Sequence, residues 1–468
     1  MESFDAVVLG LGPAGIAASI ELAQRGHRIA VIDESPEPGG RIYRKPPSEF
    51  HVIQHWDRHK AGEHLLARFE DISDSIRVFS RTQVWGCFDN STLTAIRDGR
   101  TLEMNFRNLI ICEGAMERVI PFSGWTLPGV MTVGGLQKIL LNQRILPGRK
   151  VILSGTGPLL VAVGSALIRC GAQSVDICDA TGWVENLILL PKILQHSFLL
   201  QEALTYWKPL LFSRRVHFHR HQAVVSVSGK DKVESAVITR LDQQWRPMPG
   251  SEKTIETDIV GVHHGFLPAN RLTRLCGCSH VYDSRQLCFR PDVDAYGRCG
   301  GENLYVAGDA AGIGGAILAE IRGKIAGLHV AFRLEGKEDS AFLDEILSLQ
   351  KRQKKLRQWN DALTRVFTPK KGLYEAIKDD TIVCRCEGVQ AGVIRNAVAS
   401  GMDNINEIKH TRFAMGHCQG RVCESVVLEF IRLSGIPMER IGILNVRPPM
   451  IPIPSSALEN FVKEHLAV

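Results

Sequence analysis

Asp5-Ala6-Val7-Val8-Leu9-Gly10-Leu11-Gly12-Pro13-Ala14-Gly15 is the stretch that decides the fold. Residues 5–9 form a short, wholly apolar run, as expected of a strand buried on both faces. A helical pattern follows the glycines to about Gln24. Arg25-Gly26-His27 turns the chain, and Ile29-Ala30-Val31-Ile32 makes a second apolar strand ending at Asp33-Glu34. Strand, glycine turn, helix, strand and acid in that order form the βαβ unit that holds the adenosine diphosphate half of a dinucleotide. The glycines Gly10, Gly12 and Gly15 let the backbone turn sharply and approach a pyrophosphate. The helix N-terminus offers it free N–H groups and positive dipole. Asp33 and Glu34 stand where a carboxylate can bind ribose hydroxyls.

The pattern recurs. After Pro147-Gly148-Arg149-Lys150 come the strand Val151-Ile152-Leu153, the turn Gly155-Thr156-Gly157-Pro158-Leu159-Leu160, a helical run to about Ile168, and the strand Val175-Asp176-Ile177-Cys178 ending at Asp179. Leu160 replaces the third glycine, so helix packing must differ there. Gly155, Gly157 and Asp179 are expected to bind NAD, ATP or ADP; the alternative is a retained scaffold with no occupant. Asp179 favours an unphosphorylated ribose. His263-His264 are read as packing residues, because no third metal ligand lies in local reach.

The chain has 468 residues, 44% of them hydrophobic and 23% charged, with 43 glycines and 12 cysteines. That is enough for several cores and excludes a wholly disordered or fibrous chain. A net charge of +6 from 56 basic and 50 acidic residues gives no argument for nucleic acid. Met1-Glu2-Ser3-Phe4-Asp5 precedes the apolar run without a charged n-region or cleavage site, and no apolar stretch reaches the ~18 residues of a membrane helix. The expectation is a cytoplasmic protein with reduced thiols.

Two further segments narrow the reading. Pro38-Gly39-Gly40-Arg41 lies just beyond the acids, where a Gly-Gly pair lets the chain lie against a large cofactor. Asn303-Leu304-Tyr305-Val306-Ala307-Gly308-Asp309-Ala310-Ala311-Gly312 reads as a strand running into a glycine-rich helix start. There Asp309 can hydrogen-bond a ribityl chain. With these elements the chain resembles the two-dinucleotide-binding flavoproteins, and the resemblance assigns FAD. It also implies contacts from Gly114 in the turn Cys112-Glu113-Gly114-Ala115, where that superfamily has Ala-Thr-Gly-Ala.

Near the C-terminus, Cys384-Arg385-Cys386 is followed after 31 residues by Cys418-Gln419-Gly420-Arg421-Val422-Cys423. Four thiolates in two close pairs suit zinc or an iron–sulfur cluster. The approach Thr411-Arg412-Phe413-Ala414-Met415-Gly416-His417 and the Cys-Gln-Gly-Arg-x-Cys loop resemble the BFD-like [2Fe–2S] domain, which implies Cys384, Cys386, Cys418 and Cys423 as ligands. Gly124-Trp125-Thr126-Leu127-Pro128-Gly129-Val130 and Arg447-Pro448-Pro449 resemble one subgroup. Its members are the larger subunits of opine oxidases, of dye-linked proline and hydroxyproline dehydrogenases, and the corresponding HcnB-type component of hydrogen cyanide synthase. The other eight cysteines form no Cys-x-x-Cys, which argues against a disulfide-reductase dithiol. They are read as packing residues, with Cys276-Gly277-Cys278 as the pair open to a redox reading.

The expected fold is α/β: two Rossmann-like dinucleotide-binding domains, the FAD domain split around an inserted NAD-like domain, plus a small helical C-terminal [2Fe–2S] domain. Residues 1–120 and 271–345 are assigned to the FAD domain, 121–270 to the insert, 346–375 to a basic helical linker, 376–440 to the cluster domain and 441–468 to a Pro-containing tail. Residues 351–371 carry eight Lys/Arg against Asp361, and Leu356, Trp359, Leu363 and Val366 give them an amphipathic helical pattern. The resemblance implies one oxidoreductase component of a hetero-oligomer. Its implied partners are a smaller FAD-dependent flavoprotein like an amino-acid oxidase and, in the cyanide-forming complex, a small ferredoxin-like protein, with any membrane attachment made through them. No catalytic triad is identifiable by spacing. A stand-alone NAD(P)H-dependent reductase is the competing class.

Overall fold

The computed structural model describes residues 2–44, 60–182, 185, 189, 197–336 and 340–466. Strands β1 (Glu2–Leu9), β2 (Ile29–Ile32), β3 (Arg77–Phe79), β4 (Gln83–Phe88), β5 (Thr92–Arg97) and β6 (Arg100–Ile111) lie in the order β3-β2-β1-β6-β5-β4. β3, β2, β1 and β6 run parallel, while β4 and β5 join by antiparallel pairing. Ala6, Val7 and Val8 are wholly buried, as an apolar run flanked by parallel neighbours requires.

The second sheet holds β7 (Val130–Thr132), β8 (Lys150–Gly155), β9 (Ser174–Asp179), β10 (Val216–Arg220) and β11 (Ile259–His263), in the order β10-β9-β8-β11-β7. All its pairings are parallel. The chain then returns to the first sheet, where β12 (Leu304–Val306) pairs with β6. The FAD domain is therefore split around a complete second nucleotide fold, as the sequence pattern predicts.

Helix α1 (Pro13–Ala23) starts directly after the first glycine turn, with Pro at its first position. It packs against α3 (Ala316–Glu335), and α2 (Pro158–Arg169) follows the second glycine turn. Two glycines of α3 allow the close approach to α1. A Cβ at Gly323 would stand 2.0 Å from the Ala14 carbonyl oxygen, and one at Gly327 would stand 2.8 Å from that of Ala18.

Helix α4 (Ser340–Phe367) runs through the residue 345/346 boundary without a break. Lys351, Arg352, Lys354 and Lys355 face solvent, while Ala362 and Val366 are buried. The cluster domain builds its own core from Ile394, Ile405, Ile408, Phe413 and residues of α5 (Glu424–Leu433).

Two expectations need correction. The thiols are not all reduced: Cys278 and Cys299 form a disulfide with Cα atoms 5.4 Å apart. The neighbouring Gly300 packs directly on that bond's backbone, since a Cβ placed on it would stand 3.0 Å from the Cα of Cys278. Cys276 is not part of this bond; it lies buried beside Cys87. The C-terminal segment is also more than a tail. It forms α6 (Ser455–Leu466), which docks on the first sheet through the Thr101 hydroxyl donating to the Ala457 carbonyl at 3.0 Å and the Phe461 ring meeting Trp85 edge-on at 5.1 Å.

Candidate functional site

The first glycine turn is locked before any ligand arrives. Gly10 N–H donates to the Ile32 carbonyl, and Leu11 N–H donates to Asp33 Oδ2 at 2.5 Å. Ser35 N–H takes the other Asp33 oxygen at 2.7 Å. Asp33 thus holds the turn in shape, and Glu34, exposed on the cavity wall, is the acid left facing a ribose. Gly10 and Gly15 are glycines because protein backbone fills the Cβ position: Cys112 O would lie 2.5 Å away from the first and Gly10 O 1.7 Å from the second. Gly12 differs. Its φ of −80° is open to any residue, and a Cβ there would meet nothing nearer than 3.9 Å. The space beyond Gly12 is thus kept for a ligand, which fits a pyrophosphate at the N-terminus of α1.

Gly39 and Gly40 fold back on this turn. Gly39 N–H donates to the Leu11 carbonyl, and a Cβ on Gly40 would stand 2.7 Å from the Gly12 Cα. The pair therefore serves first to let two backbone segments touch. Arg41 reaches across to donate to the Ala115 carbonyl beside Gly114. On the far side Gly308 touches Ala14 of α1, and Asp309 accepts N–H bonds from Gly314 and Gly315 at 2.8 and 3.0 Å. Those bonds shape the loop that leads into α3.

These walls enclose a cavity of about 1290 Å³. Gly10, Gly12, Glu34, Gly40, Gly114, Gly308 and Asp309 all line it. So do Trp359, Leu363 and Phe367, the apolar face of the helix predicted as a linker. Gly157 and Asp179 open onto the same space from the second fold. There the glycines divide as before: His263 O would lie 1.8 Å from a Cβ on Gly155, whereas one on Gly157 would meet nothing nearer than 3.9 Å. Asp179, however, is engaged by protein. It accepts from Arg220 at 2.7 Å and from the Thr181 N–H and hydroxyl at 2.9 and 2.7 Å. His263 and His264 are packing residues as expected. His263 Nδ1 lies 2.8 Å from Glu117 Oε1, and burial drives His264 down to about 3.

The four C-terminal cysteines stand as two pairs. Cys384 and Cys423, both 1% exposed, share a hydrogen bond, and Cys386 interacts with Cys418 in the same way. Among the described residues no three His, Cys, Asp or Glu side chains converge on one metal ion. Two pairs suit a two-iron centre, where each iron takes two protein ligands, better than a single zinc. The bond from Cys423, joined by backbone N–H groups of Ala414, Glu387 and Cys386, pulls Cys384 down to about 6. N–H groups aimed at sulfur are what a thiolate ligand needs around it.

The cluster domain is bound tightly to the other two. The Trp125 indole N–H donates to the Ile382 carbonyl at 2.7 Å. Arg118, fully buried, donates to the Leu287 and Gln286 carbonyls and to the Tyr374 hydroxyl. Arg274 pairs with Glu424 at 2.7 Å, and Arg271 donates to the Cys418 carbonyl at 3.4 Å and to the Gln419 side chain. Arg421, Val422, Glu424, Ser425 and Leu428 form part of the wall of the large cavity.

Comparison with known proteins is decisive at this point. The profile of the pyridine nucleotide-disulphide oxidoreductase family matches residues 4–333, and that of the BFD-like [2Fe–2S] binding domain matches residues 382–432. The chain belongs to the pyridine nucleotide-disulphide oxidoreductase family. It is similar to the larger, A-type component of opine oxidase from Rhizobium meliloti (strain 1021), at 32% identity over 99% of this chain and 100% of that protein. It is also similar to hydrogen cyanide synthase subunit HcnB of Pseudomonas aeruginosa, at 30% identity over 98% of this chain and 99% of that protein. The crystal structure of L-proline dehydrogenase from P. horikoshii shares the fold, with a TM-score of 0.69 at 18% identity over 97% of this chain and 79% of that one.

This family member is an FAD-dependent oxidoreductase with a [2Fe–2S] cluster. Among the described residues no helix is long and apolar enough to cross a membrane. Sequence reasoning missed Glu113, Arg271 and the docking role of Trp125. Glu113 replaces the superfamily's usual threonine and is buried, its Oε2 without a hydrogen-bond partner. Burial pushes its carboxyl up to about 7 against the pull of Arg421 and Arg271. The departure Cys112-Glu113 was the visible signal; Arg271 had none.

Proposed function

We propose that this chain is the electron-relaying subunit of a complex in which a partner flavoprotein oxidises the C–N bond of an amino acid, imino acid or opine. FAD takes up electrons in pairs and a [2Fe–2S] centre passes them singly, so a chain with both can join a two-electron oxidation to a one-electron acceptor. The observation that carries the reading is the shared cavity, whose wall includes both the Gly10–Gly12 turn and the Arg421–Leu428 face of the cluster domain. Full-length similarity to the opine oxidase component and to HcnB, both named as subunits, supports the partnered state.

Within this reading Gly10, Gly12 and Gly15 admit the FAD pyrophosphate to the N-terminus of α1. Asp33 holds the turn and Glu34 takes the ribose. Gly39, Gly40 and Arg41 fasten the neighbouring loop, Gly114 and Gly308 leave room for the cofactor, and Asp309 orders the loop before α3. Cys384, Cys386, Cys418 and Cys423 hold the cluster. Gly155 and Gly157 form the second nucleotide turn, for NAD or an adenine nucleotide, with Asp179 acting through its pair with Arg220. The complex works in the cytoplasm, and the partner is a smaller flavoprotein like an amino-acid oxidase.

The test is a screen of amino acids, proline, hydroxyproline and opines against an artificial dye. The chain alone should give little dye reduction, and the chain with its co-purifying partner should restore it. Substrate turnover by the isolated chain at the full rate would overturn the division of labour. Glycine as the preferred substrate, with cyanide released, would place the complex beside HcnB instead. Rapid flavin bleaching on mixing with NADH would favour a stand-alone reductase.

A further inference from the structure

We infer that Arg421, carried between two cluster ligands, is also a ligand of the FAD pyrophosphate, so that cluster loading and FAD binding strengthen each other. The inference goes beyond the relay reading; it rests on the placement of FAD at the Gly10–Gly15 turn and of the cluster on the four cysteines.

Arg421 lies in the loop from Cys418 to Cys423, yet it lines the cavity of the first nucleotide fold. Its neighbours have work to do. Arg271 is bonded to Cys418 and Gln419, and Arg274 is paired with Glu424. The Arg421 side chain has no hydrogen bond or ion pair among the described residues, and it is exposed to the cavity. Its charge reaches Glu113. Glu113 directly follows Cys112, whose carbonyl packs where a Gly10 side chain would stand. Arg421 is thereby placed near the turn at which the N-terminus of α1 begins.

The charge balance there calls for an anion. Arg271 and Arg421 face one carboxyl, that of Glu113, which is buried and lacks a full set of partners. Unpaired cations on the wall of a cavity are costly unless a ligand neutralises them. A pyrophosphate supplies that charge and presents the oxygens that a guanidinium binds in fork geometry. Glu113, when protonated, can then donate to a phosphate oxygen and no longer repels it.

The loop geometry makes the coupling run both ways. Gln419 and Gly420 have φ of 46° and 90°, so the loop turns sharply to bring Cys418 and Cys423 to the centre. Arg421 sits inside that turn and depends on it. If the cluster fixes the loop that presents Arg421, FAD bound to Arg421 must favour the cluster by the same factor. The two sites are therefore not independent, although their ligands come from different domains.

The test uses the full-length chain stripped of flavin, with FAD affinity read from quenching of flavin fluorescence and cluster content from iron analysis and visible absorption. Removing the cluster from the wild type by anaerobic chelation should weaken FAD binding by about tenfold, the scale of one charge-assisted contact. Arg421→Ala with its cluster intact should show a similar loss, and chelation should then weaken it little further. Arg421→Lys should recover part of the affinity. Equal FAD affinity in the wild type with and without cluster would overturn the proposal, as would wild-type affinity in cluster-loaded Arg421→Ala. If Arg421→Ala does not retain iron, the wild-type comparison and Arg421→Lys decide. Gly12→Val separates the premises: unimpaired FAD binding in that variant would refute the placement of FAD itself rather than the coupling.

Discussion

At the scale of single residues, glycines that look alike in the sequence have different jobs. Gly10 and Gly15 are filled around by protein backbone, whereas Gly12 faces open space with an ordinary extended backbone. Gly12→Val should therefore leave the FAD-free chain within about 0.5 kcal/mol of wild type in denaturant unfolding. It should weaken FAD binding by at least about tenfold, and a loss of fold would contradict this account. Glu113 gives a pH prediction. Its carboxyl is raised to about 7 by burial. The folded chain thus holds a proton that the unfolded chain releases near 4.5, and stability contributed by that proton is lost as pH rises from about 4.5 through about 7. Glu113→Gln removes the dependence. In the FAD-free chain its advantage over wild type should be absent near pH 4 and grow to at most about 3 kcal/mol by pH 8. Parallel pH–stability curves would contradict the assignment.

At the scale of elements, α1 and α3 meet as closely as helices can. An alanine at Gly323 would place its Cβ 2.0 Å from the Ala14 carbonyl oxygen. Backbone must then shift, so Gly323→Ala should cost about 1–3 kcal/mol or more. It should also weaken FAD binding, because Ala14 lies in the first turn of α1 on the cavity wall. The cluster domain hangs partly on Trp125. Trp125→Phe keeps most of the buried ring and removes the bond to the Ile382 carbonyl, which should cost about 1–2 kcal/mol in thermal or denaturant unfolding while the cluster is retained. What the sequence made legible here was local. Strand, glycine turn and helix lie within about thirty residues, and the cysteines come in short-range pairs, so their physics is written in neighbouring positions. Trp125 and Ile382, or Arg118 and Tyr374, are distant in sequence and become partners only when domains dock. The Cys278–Cys299 bond and the docking of α6 on the first sheet depend on tertiary packing in the same way. Asp33 stood at the expected position with a different task, because the turn's own N–H groups claim its carboxylate before a ribose can.

At the scale of the whole molecule, three folds surround one cavity. The FAD domain supplies the glycine turn and the inserted fold supplies Gly157 and Asp179. The apolar face of α4 closes another side, and the cluster domain contributes the Arg421–Leu428 face. Such an arrangement brings a two-electron carrier and a one-electron carrier together within one molecule, and buried ties at Arg118, Trp125 and Arg274 hold it. Freeze-quench EPR on the complex, mixed anaerobically with the amino acid or opine it oxidises, tests that claim most directly. The account predicts that the reduced [2Fe–2S] signal grows in during turnover at a rate matching dye reduction, and that Cys384→Ser abolishes the signal and most of the dye reduction together. Full dye reduction with the cluster staying oxidised, or undiminished in Cys384→Ser, would contradict it.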